Sequence, residues 1–211
     1  MPYCPKCGNT GRKLDGSPCE CVTPTDTLYA DLVGMDLPEQ YQGVRFSGAL
    51  VPTDCGPSYA PLLEKWHTAI TTLQAECHNL CICSPPNHSK TVWAYSCLQN
   101  LFRQRVPVVP LYDVLEIRRK MMDHDMGRSD EESLYTVPYL FVRIPAEVNY
   151  LVRTTIATIL DRRVRPGHTT IFLYNGTWGT LTYGDDTGII SGLQGDGSFT
   201  SLDVYSYSKQ R

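Results

Sequence analysis

The sequence predicts an α/β domain in which a parallel sheet carries helices on both faces. Apolar runs of strand length alternate with segments of helical periodicity from about residue 61 onward, and this alternation is typical of a parallel sheet. One strand-to-helix junction reads SPPNHSKT, residues 84–91, which has the length and the ending of a phosphate-binding loop. A cluster of cysteines near the N-terminus predicts a small separate module before this domain.

Composition excludes several function classes. The 211-residue chain is 42% hydrophobic and 19% charged, which is ordinary for a globular protein with a substantial core. Its net charge of −3 excludes a strongly basic polyanion-binding chain, so a nucleic-acid contact needs a local patch or several copies side by side. The chain has no run of about 20 apolar residues and therefore no expected membrane span. Because MPYCPKCGN lacks the pattern of a signal peptide, we expect a cytoplasmic protein.

The cysteine cluster predicts a structural zinc site. Cys4 and Cys7 form a Cys-x-x-Cys pair, and eleven residues later Cys19 and Cys21 form a Cys-x-Cys pair. Zinc prefers four tetrahedral ligands, and it supplies roughly 10 kcal/mol or more of folding free energy that so short a segment cannot obtain from burial. Four protein ligands leave no open position for catalysis. The alternative is a set of unrelated thiols in a flexible tail.

Three segments follow from composition and periodicity. Residues 1–22 form the predicted zinc-binding module, residues 23–60 a linker and lead-in rich in proline, glycine, threonine and aspartate, and residues 61–211 the α/β domain. Within that domain we predict helices over residues 60–75, 90–105, 112–122 and 147–163. Strands are predicted over residues 79–84, 106–112, 137–144, 168–175 and 198–207. The predicted buried face of the last helix comprises Val148, Leu151, Val152, Ile156, Ile159 and Leu160.

The loop over residues 84–91 departs from the pattern G-x-x-x-x-G-K-[ST] at both glycines. Ser84 and Ser89 stand at the glycine positions, whereas Lys90 and Thr91 are intact. In that pattern backbone N–H groups wrap the phosphates, the lysine neutralises charge and the hydroxyl binds magnesium. The candidate nucleotide-binding residues of the loop are Ser84, Asn87, His88, Ser89, Lys90 and Thr91. The alternative is a plain strand-to-helix turn with Ser89 as its N-cap.

Seven segments follow one another in a recognisable order: CPKCGNTG…CEC, DLPEQYQGVRFSG, NLCICSPPNHSKTVWAYSCLQNL, VPVVPLYDVLEIRRK, VPYLFVRI, TIATILDRRVRPGHTTIFLYN and SYSKQR. In order and spacing they resemble bacterial replicative helicase loaders of the DnaC/DnaI type, which are AAA+ ATPases related to the helper ATPases of some transposons. The resemblance covers nearly the entire chain and depends on all the segments together, since no single motif is specific enough.

The resemblance implies an AAA+-like domain and a role in DNA replication. The family binds the hexameric replicative helicase through the N-terminal module and helps to place it on single-stranded DNA. ATP or ADP, magnesium and self-assembly into a homo-oligomer accompany the AAA+ domain. Asn175 matches the sensor position of the family. We expect no helical lid, because Arg211 follows soon after the last predicted strand.

The sequence departs from the family at two further catalytic positions. Arg143 and Ile144 stand where two acidic residues hold magnesium and polarise the attacking water, and a cation there opposes magnesium. The segment TGIISGLQGDGS contains no arginine where the family carries its arginine finger. Arg143 can hold ADP or ATP without magnesium, or it can pair with Glu147 or Asp113 and fill the site.

We therefore predict a pseudo-ATPase with no catalytic residues, which acts by binding the replicative helicase or a helicase loader. Lost hydrolysis suits a phage or mobile-element protein that loads passively or blocks the machinery of its host. One alternative is a slow ATPase loader completed by neighbouring subunits. Another is an AAA+-like transposition helper.

Two further residue groups have a functional and a structural interpretation. Cysteines and a histidine around the first predicted strand suggest a second metal cluster, but small thiols on a central strand are more typical of buried core; they are Cys77, His78, Cys81 and Cys83. Basic runs can contact DNA phosphates in an assembly, although such runs are more often solvated helix ends; they comprise residues 118–120 and Arg162, Arg163 and Arg165.

Overall fold

The described part of the chain builds a parallel sheet from alternating strands and helices. A computed structural model describes Lys6, Cys55 and residues 37–52, 58–75, 79–122, 133–163, 168–183 and 199–203. The strands are β1 (Asn79–Cys83), β2 (Tyr112–Asp113), β3 (Tyr139–Ile144), β4 (Thr169–Tyr174) and β5 (Phe199–Asp203). The helices are α1 (Tyr59–Thr71), α2 (Lys90–Arg103), α3 (Val114–Met122), α4 (Tyr150–Arg162) and α5 (Trp178–Thr182).

All strand pairs of the five-stranded sheet are parallel, and the order across the sheet is β2-β3-β4-β1-β5. Cys83 at the end of β1 lies opposite Tyr174 of β4 and Asp203 of β5. The carboxyl ends of these strands therefore meet at one edge, and the loops that follow them converge there.

Alternation along the strands separates two cores. Leu80, Ile82 and Phe141 pack with residues of α1 and α2 on one face of the sheet. Cys81 and Phe172 pack with residues of α3 and α4 on the other face. The sheet thus has helices on both faces, and the predicted α/β class is confirmed.

Residues 37–52 are integrated into the first of these cores, although they fall within the segment predicted to be a linker and lead-in. Leu37, Val44 and Val51 are buried. Gly43, at a φ of 70°, donates its N–H to Gln99 of α2 over 2.8 Å. The Ser96 hydroxyl accepts the N–H of Phe46 over 2.9 Å. Polar side chains of α2 thus satisfy the backbone of this segment; the division at residues 22 and 23 lies outside the described residues.

One predicted strand is largely absent. Over residues 106–112, only Tyr112 belongs to a strand, and β2 comprises Tyr112–Asp113. Pro107 and Pro110 lack the N–H that a ladder needs, so the preceding apolar residues run beside the sheet without pairing. The other predicted strands and helices are present with shifted ends, and residues 204–207 of the last one lie outside the described residues.

The helix α4 carries the predicted apolar face with two exceptions, Val148, which precedes the helix and is half-buried, and Leu151. Asn149 caps its first turn, accepting the N–H of Val152 over 3.0 Å. Leu151 is 45% exposed, whereas Thr155 and Ile159 on the same stripe are buried. The periodicity was correct, but the first turn lies at the helix end, where neighbouring elements no longer cover the stripe. Among the described helices, none is long and apolar enough to cross a bilayer.

Candidate functional site

The loop Ser84–Thr91 joins the carboxyl end of β1 to the start of α2. Ser84 donates its N–H to Tyr174 of β4 over 3.2 Å, which continues the ladder by one bond. Asn87 and Ser89 adopt left-handed backbone conformations, with φ of 64° and 63°. Glycine adopts this region freely, whereas a serine there costs on the order of 1–3 kcal/mol. Ser89 at the second glycine position therefore has a backbone conformation that glycine favours.

Lys90 lies inside the loop. Its ammonium group donates to the carbonyl oxygen of Ser84 over 3.1 Å, to the hydroxyl of Ser84 over 3.1 Å and to the carbonyl oxygen of Pro85 over 2.8 Å. The side chain is 5% exposed, and burial lowers the pKa of Lys90 to about 8, against the opposing influence of the Cys83 and Cys55 thiols. The hydrogen-bonding capacity of the Lys90 ammonium group is therefore taken up by acceptors of the loop itself.

Ser89 occupies the N-cap position of α2 but does not cap the helix with its side chain. Its backbone carbonyl accepts the N–H of Trp93 over 2.8 Å, while its hydroxyl donates to the carbonyl oxygen of Leu50 over 2.5 Å. The predicted N-cap position of Ser89 is therefore confirmed, but the capping hydrogen bond from its side chain is absent. The hydroxyl is directed instead to residues 37–52, because the left-handed backbone turns it away from the first helical N–H groups.

A cavity of about 360 Å³ opens beside the loop. Most of the predicted loop residues line it, together with the predicted sensor residue; the lining is Tyr41, Pro86, Asn87, His88, Ser89, Lys90, Thr91, Val92 and Asn175. His88 donates from Nδ1 to the carbonyl oxygen of Pro86 over 2.8 Å. Ser84 is buried beneath the loop and reaches the cavity only through Lys90.

Arg143 lies apart from this cavity. It occupies the carboxyl end of β3 opposite Asp113 of β2, and its Nε is 3.8 Å from Oδ2 of that carboxylate. The other carboxylate oxygen accepts the N–H of Leu115 over 2.9 Å at the start of α3. Of the two partners left open by the sequence, the structure pairs Arg143 with Asp113. Arg143 is not among the described residues that line the cavity.

Tyr174 and Gly176 hold the position of Asn175. The Tyr174 hydroxyl donates to the carbonyl oxygen of Ala146 over 3.5 Å, linking the ends of β4 and β3. A Cβ added to Gly176 would lie 2.5 Å from the ring of Tyr174, so only glycine fits there without displacement. Sequence reasoning missed both residues, because nothing local distinguishes this tyrosine from other buried strand residues.

Tyr41 and Leu50 are two other residues that sequence reasoning missed. Tyr41 lines the cavity and stacks on Tyr95 of α2 with ring centroids 4.4 Å apart. Leu50 contributes a backbone carbonyl, which has no sequence signature. Both come from residues 37–52, and their proximity to the loop results from the packing of that segment on α2.

The predicted zinc ligands Cys4, Cys7, Cys19 and Cys21 lie outside the described residues. Within the described residues no group of three or more histidine, cysteine or acidic side chains could hold a metal ion. Cys81 and Cys83 are fully buried on one face of β1, with their sulfurs 3.6 Å apart, as expected for core thiols. Cys77 and His78 of the same group lie outside the described residues.

Arg163 has a structural role that neither interpretation of the basic run anticipated. It is 3% exposed and donates to the carbonyl oxygens of Leu134, Val137 and Thr169 over 2.8, 2.9 and 3.2 Å. Burial lowers its pKa to about 10. Arg162 is exposed and lies 4.9 Å from the ring centroid of Tyr135. Arg163 is thus unavailable to DNA, because its guanidinium is enclosed by residues that precede β3 and by the first residues of β4.

The parallel strand order, the loop after β1 and the helices on both faces define a P-loop NTPase fold of the AAA+-like class. Solved structures support this class. A DnaI crystal structure is similar with a TM-score of 0.57 and 14% identity over 80% of this chain and 92% of that one. The structure of a DNA replication initiation factor is similar with a TM-score of 0.54 and 13% sequence identity over 70% of this chain. The structure of AMPPCP-bound DnaA from Aquifex aeolicus is similar with a TM-score of 0.54 and 10% sequence identity over 75% of this chain.

The chain spans about half of the last two structures, 47% and 49% of their lengths. No protein-family model matches the sequence, and no curated protein matches it. At sequence identities this low, the similarity to these structures shows a shared fold and nothing more.

Proposed function

We propose that this protein acts in DNA replication as a loader-like protein that binds the replicative helicase or a helicase loader without turning over ATP. The similarity to DnaI and to a replication initiation factor supports the general role. The order of sequence segments supports the loader type, because it extends over the N-terminal cysteine cluster as well as the α/β domain.

The position of Arg143 carries the proposal. Magnesium at a nucleotide site is held by oxygen ligands, and carboxylates supply the charge that retains it. At the end of β3 a guanidinium stands instead, and its ion pair with Asp113 engages the nearest carboxylate of β2. A magnesium ion at this strand end would meet a cation in place of a carboxylate, and the transition-state charge would lack an arginine finger. The loss of the carboxylate pair supports a pocket that is empty or weakly occupied by ATP or ADP.

The remaining parts of the proposal come from the sequence. The zinc-binding module over residues 1–22 is the expected helicase contact, with Cys4, Cys7, Cys19 and Cys21 as its ligands. Self-assembly into a homo-oligomer, contact with single-stranded DNA in that assembly and a cytoplasmic location belong to the same proposal. Arg118, Arg119 and Arg162 are basic residues for such a contact, whereas Arg163 is not.

Direct capture tests the proposal. The purified protein is immobilised and offered a purified replicative helicase, a helicase loader or a transposase, with and without ATP. We expect capture of the helicase or the loader at a level that ATP does not change. The Lys90→Ala variant should capture as well as wild type, and the Cys4→Ser/Cys7→Ser variant should not. Capture of the transposase alone would replace the loader role by a transposition helper.

A second candidate is a slow ATPase loader that neighbouring subunits complete. It is favoured by the cavity itself, which brings Lys90, Thr91 and Asn175 together as an active site requires. An acid and an arginine would then have to come from another chain. This candidate predicts ATP turnover that increases steeply with protein concentration, whereas the first predicts none.

A further inference from the structure

Both serines at the glycine positions of the loop use their hydroxyls inside the protein. The Ser84 hydroxyl accepts a hydrogen bond from Lys90 over 3.1 Å. The Ser89 hydroxyl donates to the carbonyl oxygen of Leu50 over 2.5 Å, across 39 residues of sequence. Glycine can make neither contact, so the two substitutions add interactions as well as removing backbone freedom.

The contact at Ser84 completes the coordination of Lys90. An ammonium group has three protons to donate, and here they meet the Ser84 carbonyl, the Ser84 hydroxyl and the Pro85 carbonyl at 3.1, 3.1 and 2.8 Å. The side chain is 5% exposed. To reach a phosphate at the cavity, the ammonium group has to give up these bonds.

The contact at Ser89 attaches the loop to the 3-10 turn Gly48–Leu50. That turn is anchored independently, because Gly48 donates its N–H to Oε1 of Glu64 on α1 over 2.7 Å. The Val51 N–H closes the turn on the Gly48 carbonyl over 3.0 Å. Ser89 therefore connects the start of α2 to a segment that α1 already holds.

We propose that the Ser84 and Ser89 hydroxyls form a two-point latch, in which Ser84 holds Lys90 inside the loop and Ser89 fixes residues 48–50 against the loop. A phosphate-bearing ligand can engage Lys90 only after the Ser84 point of this latch opens. The inference rests on the proposed function, since it describes how the same loop serves a protein that does not turn over ATP. A hydrogen bond to a charged group shifts such an opening equilibrium by roughly ten- to a hundredfold.

Chemical labelling of Lys90 tests the latch. The full chain and its Ser84→Ala, Ser89→Ala and Ser84→Ala/Ser89→Ala variants are treated with a water-soluble amine acylating reagent, and modification of Lys90 is followed by mass spectrometry. We expect slow labelling in wild type and labelling roughly tenfold faster or more in the double variant. In Ser89→Ala, hydrogen exchange at the Leu50 and Val51 amides should also accelerate. The Ser84→Gly variant also removes the hydroxyl that contacts Lys90, and it should increase the labelling of Lys90 as Ser84→Ala does.

Inorganic pyrophosphate provides the matching binding test. The double variant should bind pyrophosphate about tenfold or more tightly than wild type in calorimetry. Ser58→Ala is the control, because the Ser58 side chain makes no capping bond at α1, and exposed Lys65 is the internal labelling reference. Wild-type Lys90 labelled as fast as Lys65, or a double variant unchanged in labelling or in pyrophosphate affinity, overturns the latch. Helicase capture that fails while these results hold contradicts the proposed function alone.

Discussion

Arg143 of β3 and Asp113 of β2 form an ion pair across neighbouring parallel strands, with Nε 3.8 Å from Oδ2. Both side chains remain partly exposed, at 47% and 31%, so the pair contributes at most about 1 kcal/mol to stability. The position of the pair matters more than its energy, because it places a cation at the sheet edge where the loops that follow β1, β3 and β4 meet.

ATP hydrolysis should be undetectable above background in steady state with magnesium present. Under the proposed function the chain lacks both the acid and the arginine finger, and an arginine finger alone is worth roughly 10³–10⁵ in rate. Lys90→Ala should therefore leave the measured rate unchanged. A phosphate-release assay on wild type and Lys90→Ala decides the matter, and robust turnover that this substitution abolishes would contradict the pseudo-ATPase.

Zinc should copurify with the full chain at close to one equivalent, about one ion for four thiolates. Elemental analysis of the purified protein measures this directly. The Cys4→Ser/Cys7→Ser variant should lose the metal, whereas Cys81→Ser/Cys83→Ser should keep it, since both of those thiols are buried in the sheet. Retention of a full equivalent by the first variant would assign the metal elsewhere.

Replacing Arg163 by methionine should destabilise the fold by about 3 kcal/mol, because three backbone carbonyls would lose their buried donor. Those carbonyls belong to Leu134 and Val137, which precede β3, and to Thr169, the first residue of β4. Urea unfolding provides the measurement. The neighbouring Arg162→Ala should cost less than about 1 kcal/mol, the scale of an exposed cation–π contact. Equal effects of the two substitutions would show that burial of the Arg163 guanidinium is not stabilising.

Stability should fall as the pH drops from about 6.5 to about 4, in part through His67. Burial lowers the pKa of His67 from 6.5 to about 4, and its Nε2 lies 3.1 Å from the Ser96 hydroxyl, which also accepts the Phe46 N–H. The unfolded chain binds a proton in this window that the folded chain excludes. The loss is complete below pH 4 and amounts to roughly 3 kcal/mol, since each pKa unit corresponds to about 1.4 kcal/mol.

The His67→Gln variant isolates this contribution, because glutamine can accept from Ser96 but does not titrate. Urea unfolding at several pH values should show a flatter acid limb for His67→Gln than for wild type. An identical acid limb in His67→Gln and wild type would assign the acid sensitivity to other groups.

The fold class, most strands and the helix faces were predictable from the sequence, because they depend on apolar periodicity over short windows. The strand over residues 106–112 was predicted too long, since its apolar residues suit a strand but its two prolines cannot pair. Leu151 was predicted to be buried because it lies on the apolar face of its helix. Its exposure depends on where the neighbouring elements end, which the local pattern does not show.

In the candidate site, too, the residue types were predictable from the sequence, whereas their contacts were not. Ser84, Ser89 and Lys90 are conspicuous in the sequence because the loop pattern is local, and the charge of Arg143 is visible against the acids expected there. That Lys90 points into the loop, that Ser89 holds Leu50 and that Arg143 pairs with Asp113 were decided only by the tertiary structure. These contacts join segments distant in the chain through backbone carbonyls and strand register, which leave no trace in residue identity.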